Sequence, residues 1–179
     1  MAKTHIRKIT FAGVVAAFYA ALTLAAAPIS YGPLQFRVAE ALCVIPFFFP
    51  VTSAGLFVGC VIANLFSPYG ILDIAAGSAA TLIATLLTAR IGRVKASRNA
   101  IWIKALACFP PVIVNALIIP AVIAGTATSG GESFRAAYMI NAIQIGLEQF
   151  AVMYAIGLPL MINLPKSRLY GKLSEWYRL

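Results

Sequence analysis

Residues 34–68 read LQFRVAEALCVIPFFFPVTSAGLFVGCVIANLFSP, and the number of helices in this stretch decides the fold. A membrane-spanning helix needs about 20 mostly apolar residues. The stretch is too long for one such helix and offers roughly 17 residues to each of two, with Pro46 and Pro50 near its middle to make the turn. Other apolar runs lie at 9–27, 71–89, 101–124 and 137–162. Parity narrows the count to an even number of crossings between the flanking runs. With the basic N-terminus inside, the first run ends outside near Pro28, whereas the run from Ile71 must finish inside at Arg90. Two crossings between them satisfy this, so the expected chain is an all-α integral membrane protein of six transmembrane helices with cytoplasmic N- and C-termini.

Composition points the same way. Of 179 residues, 61% are hydrophobic and only 11% charged, against roughly half and a quarter in a soluble domain. Little length remains for an ATPase or kinase domain. Three segments, 3–8, 90–104 and 166–178, hold 12 of the 14 Lys and Arg residues. Flanking apolar runs, such clusters are cytoplasmic loops rather than a nucleic-acid surface. The outer loops are then 28–35, 67–72 and 125–136. The first run follows basic residues as a secretory signal does, but the apolar runs after it favour an uncleaved span. Residues 1–165 form the six-helix domain, and 166–179 a short amphipathic tail at the cytoplasmic surface, with Leu169, Leu173, Trp176 and Tyr177 on one stripe, or a solvated cytoplasmic tail anchored by Trp176 alone. Cys43, Cys60 and Cys108 are isolated in apolar runs, which makes them small packing residues rather than metal ligands. No metal and no cofactor is expected in this chain.

This map collects the rare polar residues into one half of the bilayer. Arg37 and Glu40 open span 2, Asn64 ends span 3, Asp73 opens span 4 and Asn115 lies past the midpoint of span 5. In span 6, Asn141, Gln144 and Glu148 follow one helical face from the outer surface to mid-membrane. Span 1 contributes no strong polar side chain. Exposing such groups to lipid is costly, so they should face the bundle interior or a water-filled cavity. Interhelical hydrogen bonds and loop caps are the alternative: Arg37 and Glu40 can pair at i,i+3, and Asp73 can cap span 4. Carboxylates accept from amidine-like N–H edges and attract ammonium groups, while Asn and Gln amides read mixed edges. Phe36, Phe66, Tyr69, Phe134 and Tyr138 can cover a planar ring. A small, flat, nitrogen-rich solute with a cationic arm fits this set.

Span 1 has a different character. Ala12, Ala16 and Ala20 form one i,i+4 row, and Ala17, Ala21 and Ala25 another. Small residues let helices approach closely in lipid, which suits a docking face for another membrane protein as well as internal packing. Span 4 adds a weaker instance in Gly77, Ala80 and Ala84.

Neither a nucleotide-binding glycine loop nor an HExxH motif occurs in the sequence. Asp73 and Glu148 resemble an aspartyl pair, but their flanks LLDIAAG and GLEQF lend no support to an enzyme. The chain also lacks the length and two-fold repetition of many standalone transporters. A small solute-binding subunit that borrows an energised partner accounts for both the polar set and the small-residue face.

PISYGPLQFRVAEAL at 28–42, GLFVGCVIANLFSPYGILDIAAGSAATLIATL at 55–86 and NAIQIGLEQF at 141–150 resemble the QueT family, over essentially the whole chain. Members of that family are substrate-capture (S) components of energy-coupling factor (ECF) transporters associated with queuosine precursors. The resemblance implies a six-helix subunit in a bacterial-type cell membrane, in contact with lipid. It also implies a transmembrane coupling protein, two cytoplasmic ATPases that carry ATP and Mg, and uptake of a 7-deazaguanine such as preQ1. Arg37, Glu40, Asn64, Gly70 and Asp73 fall in the family-like central segment, and the alanine rows of span 1 match a docking helix. Another vitamin or nucleobase as ligand, or a standalone small-solute carrier, are the alternatives.

Overall fold

A computed structural model describes residues 2–31, 36–68, 70–94, 100–127 and 133–178, and contains only helices and turns among them. The long elements are α1 (Ala2–Ala25), α4 (Gly70–Ile91), α6 (Phe109–Ala127) and α7 (Phe134–Val152). The short ones are α2 (Ala27–Ser30), α3 (Thr52–Asn64), α5 (Ile101–Ala107), α8 (Leu158–Asn163) and α9 (Arg168–Arg178). α5 runs into α6 past Cys108, and α7 into α8 through a π-helical turn at Met153–Gly157, which leaves four segments long and apolar enough to cross a membrane: Thr4–Ala25, Gly70–Ile91, Ile101–Gly125 and Phe134–Lys166. They coincide with the four unambiguous apolar runs of the sequence. The protein is a multi-pass membrane protein.

The stretch at 34–68 departs from expectation. It holds two apolar helices, but they have 10 and 13 residues instead of about 17, and the first, Val38–Phe47, is a 3-10 helix. At about 2.0 Å rise per residue in the 3-10 helix and 1.5 Å in α3, each is about 20 Å long, short of a hydrocarbon core about 30 Å thick. Pro46 lies inside the 3-10 helix; Pro50 is in the turn that follows. Proline lacks the N–H that an α-helix interior requires.

The three-residue period of a 3-10 helix eclipses side chains at i and i+3, giving three rows. Ala39, Leu42 and Ile45 pack with Val15, Tyr19, Leu56 and Cys60 of α1 and α3. Val44 and Phe47 pack with Met153 and Met161, and Val44 Cγ1 lies 3.2 Å from where a Cβ on Gly157 would stand. The third row is Arg37, Glu40, Cys43 and Pro46. A helix with neighbours on every side is almost wholly buried, as this one is, and its polar row is thereby held in the interior.

α1 and α3 are in direct backbone contact. A Cβ on Gly55 would collide with the carbonyl of Ala12, and one on Gly59 would stand 2.6 Å from the Ala16 oxygen. Ala16 and Ala20 are accordingly buried and Ala12 half-buried. In the row 12, 16 and 20, for which the sequence leaves docking and internal packing both open, Ala12 and Ala16 pack against α3 and also line an apolar groove between the two helices. Ala17, Ala21 and Ala25 form the exposed row.

The bundle has two distinct ends. Gly70, at φ 70, makes the left-handed turn into α4, bringing its first turn beside the end of α3 and the start of the 3-10 helix. At the opposite end, Phe48 and Phe49 meet Tyr170 at ring separations of 5.4 and 5.6 Å, and Phe49 meets Tyr177 at 5.3 Å. Lys8 Nζ lies 5.3 Å from the Tyr177 ring. The bundle-facing stripe of α9 is thus Tyr170, Leu173 and Tyr177, while Leu169 of the expected stripe is exposed. Part of the basic 90–104 loop and residues 128–132 of the expected outer loop lie outside the described residues.

Replacing Gly55 by Ala should destabilise the bundle by about 1–3 kcal/mol, since only separation of the two backbones relieves the clash. Gly13→Ala, where a Cβ meets nothing within 4 Å, should be neutral or stabilising by up to about 1 kcal/mol. Thermal unfolding of both variants in detergent checks this; equal melting temperatures would contradict the α1–α3 contact.

Candidate binding site

The polar row of the 3-10 helix centres on Glu40, 1% exposed. A buried carboxylate must be hydrogen-bonded, and here the donors come from three elements. Tyr19 Oη of α1 donates to Oε1 at 2.5 Å. Cys43 Sγ, one 3-10 turn along, donates to Oε2 at 3.2 Å, and Asn115 Nδ2 of α6 approaches the same oxygen at 3.5 Å. Span 1 therefore does contribute a polar group to the interior, through Tyr19, which is 0% exposed.

Arg37 does not pair with Glu40. Its Nη2 forms an ion pair with Asp73 Oδ2 at 3.1 Å, and its Nη1 donates to Asn64 Oδ1 at 3.1 Å. Asn64 Nδ2 donates to the backbone oxygen of Asp73 at 3.1 Å, and Ser67 Oγ to Asp73 Oδ2 at 2.5 Å. Arg37, Asn64 and Asp73 are all buried, so this cluster ties the start of the 3-10 helix to the adjoining ends of α3 and α4. Asp73 is the partner of Arg37 rather than a free capping group. Gly77 leaves space for it: a Cβ there would stand 2.7 Å from Asn64 Nδ2 and 3.2 Å from Asp73 Oδ1.

Between the 3-10 helix, α6 and α7 lies a cavity of about 10 Å³ lined by Arg37, Glu40, Asn115, Ile119 and Gln149. That is room for about one water. Four of the five lining residues are polar, and they supply a guanidinium, a carboxylate and two amides. The predicted residues of span 6 are arranged differently. Asn141 Nδ2 donates to the Ala137 oxygen at 2.7 Å, Gln144 Nε2 donates to Glu148 Oε1 at 3.1 Å, and none of the three lines the cavity. The residue that does is Gln149, about 100° further around the helix than Glu148. Nor do the expected aromatic residues line it: Phe66 and Phe134 are exposed, Phe134 stacks on Tyr138 at 6.1 Å, and Tyr69 lies outside the described residues. Among the described residues no group of three or more His, Cys, Asp or Glu side chains could hold a metal ion.

A model of the QueT transporter family matches residues 9–166. The chain is 36% identical over 85 residues to a queuosine precursor transporter QueT of Lactococcus lactis subsp. cremoris, over 46% of this chain and 50% of that protein. The chain thus spans half the length of that relative in the alignment. No solved structure matches it significantly.

Removing one partner of the Arg37–Asp73 pair leaves a buried charge unmatched, so Asp73→Asn should cost about 3–5 kcal/mol of stability. Combining Arg37→Met with Asp73→Leu should recover most of that loss, because neither charge then remains. Thermal melts of the single and double variants test the coupling, and simple additivity would reject it.

Proposed function

The chain belongs to the QueT transporter family, and on that premise we propose that it captures a queuosine precursor, a 7-deazaguanine such as preQ1, at the cavity beside Glu40. The observation that carries this reading is the chemistry of that cavity. A guanine-type ring presents a carbonyl acceptor, a ring N–H and an exocyclic amine along one edge. Arg37 provides donors, Glu40 acceptors and the amides of Asn115 and Gln149 both. The family relative's printed name supports the same ligand class. A cavity of about 10 Å³ is far too small for a bicyclic ring, so binding requires α6 and α7 to draw back from the 3-10 helix.

In this reading the chain is a non-catalytic S component of an ECF-type importer. It takes the solute from outside and depends for net uptake on a transmembrane coupling protein and two cytoplasmic ATPases that bind ATP and Mg. The two short apolar helices complete a bundle of six membrane segments, with both termini cytoplasmic at the end where Lys8 and α9 meet. The exposed row Ala17, Ala21 and Ala25 is the docking face for the coupling protein. Asn64 and Asp73 hold Arg37 in place rather than touch the ligand, and Asn141, Gln144 and Glu148 contribute to the approach rather than to the ring contact.

Titration of the purified chain with preQ1, preQ0, queuine, guanine, thiamine and riboflavin tests the ligand class. The expected outcome is binding of a deazaguanine, weakened in Glu40→Gln by about 2–5 kcal/mol, at least about 30-fold, with the melting temperature measured alongside. Binding of a vitamin and of no deazaguanine would overturn the ligand assignment while leaving the carrier class intact. For the docking face, Ala17→Trp with Ala21→Trp should keep solute affinity and lose both co-purification with the coupling protein and uptake in cells. Accumulation in vesicles that lack any coupling subunit would instead make the chain a standalone carrier.

A further inference from the structure

The hydrogen-bond capacity of Glu40 is nearly used up by the protein itself. A carboxylate offers about four lone-pair sites, and Tyr19, Cys43 and Asn115 already address three of them. About one remains for a ligand. A guanine-type edge, however, presents two adjacent donors, the ring N–H and the exocyclic amine. If both pointed at Glu40, one would lose its water partners without gaining a protein acceptor, which costs binding free energy.

A second acceptor belongs to a residue that lines the same cavity. Gln149 is 6% exposed, and its Oε1 is buried without a hydrogen-bond partner. Buried side-chain oxygens are rarely left in that condition, and this one belongs to a residue lining the space beside Glu40. We propose that the donor edge is read by two side chains, Glu40 taking the ring N–H and Gln149 Oε1 the exocyclic amine, so that Gln149 sets specificity for 2-amino rings. The assignment rests on the deazaguanine reading above and adds to it a residue that answers to one group of the ligand. Glu148, the neighbouring carboxylate, accepts from Gln144 at Oε1 and also has a buried, unpartnered Oε2, but it does not line the cavity. A ring without the 2-amino group leaves Gln149 Oε1 unsatisfied in the complex as it is in the free protein. Discrimination against such a ring therefore arises from a bond not made, with no steric exclusion needed.

The test crosses one side chain with one ligand group. Wild type, Gln149→Leu, Gln149→Met, Gln149→Glu and Glu148→Gln are titrated with preQ1 and with its analogue lacking the 2-amino group, each after a thermal melt to establish folding. Wild type and Glu148→Gln should prefer preQ1 by roughly 10- to 100-fold. Gln149→Leu should lose about that much affinity for preQ1 and bind the two rings equally, whereas Gln149→Glu, which retains an acceptor, should keep the preference. Gln149→Met, unbranched and close in length, gives the same reading if the Leu variant does not fold. A preference for preQ1 that persists in Gln149→Leu or Gln149→Met overturns the assignment of Gln149 alone and leaves the ligand class standing. Wild type that binds no deazaguanine overturns both.

Discussion

A carboxylate in the middle of an apolar bundle has to be met by donors from every side, and the arrangement of the helices around Glu40 follows from that requirement. Tyr19 reaches it from α1 and Asn115 from α6, while Cys43 lies one 3-10 turn away on the same strip of chain. The three-residue period is what makes this economical. It aligns Arg37, Glu40 and Cys43 on one edge and leaves two apolar edges for packing against α1–α3 and against the turn between α7 and α8. An α-helix would rotate successive i+3 residues by about 300°, so that the row would drift around the helix and carry part of the polar edge into the apolar contacts. The 3-10 form is a poorer hydrogen-bonding geometry and rarely persists for ten residues; here it is enclosed by close contacts, including those at Gly92 and Gly157.

The same helix that donates to Glu40 presents the small-residue surface. Tyr19 points inward, and Ala17 and Ala21 lie about 200° from it, exposed on the outside of the bundle. Between these two faces, Gly55 and Gly59 of α3 hold α1 at backbone contact. Small residues in lipid favour close approach only where two smooth surfaces meet, and on α1 one such surface is already occupied by α3. What remains free is the row displaced from it by one residue, a distinction that depends on which side α3 takes.

Much of the architecture was legible because length and hydropathy dominate in a membrane: the four long segments follow directly from apolar runs of sufficient length. The short pair was harder. Pro46 and Pro50 read as a turn between two α-helices, whereas Pro46 is tolerated inside a 3-10 helix and only Pro50 marks the turn. The spacing of Arg37, Glu40 and Cys43 was a signal of period three, but three residues are too few to separate it from an α-helical i,i+3 pair. Arg37 and Asp73, 36 positions apart, join only once Gly70 has turned the chain, and no local pattern links them. Nothing local marks Tyr19, since an aromatic residue in an apolar run reads as lipid-facing or interfacial.

Span 6 illustrates a more general limit. Asn141, Gln144 and Glu148 share a helical face, and a polar face on an intramembrane helix reads as the side that meets the ligand. Yet a row at i,i+3 and i+4 spacing is also the pattern by which polar side chains engage one another along their own helix, and Gln144 and Glu148 do so through Glu148 Oε1, leaving Oε2 buried without a partner. Residues able to pair locally have less need of a partner elsewhere. Gln149, with Ile145 and Gly146 one turn before it and Val152 and Met153 one turn after, has no polar neighbour at helical spacing to engage it, and its oxygen stays unpaired in the interior. Glu148 keeps an unpartnered oxygen as well, so what sets Gln149 apart from the polar stripe is its place: it lines the cavity beside Glu40, and Glu148 does not.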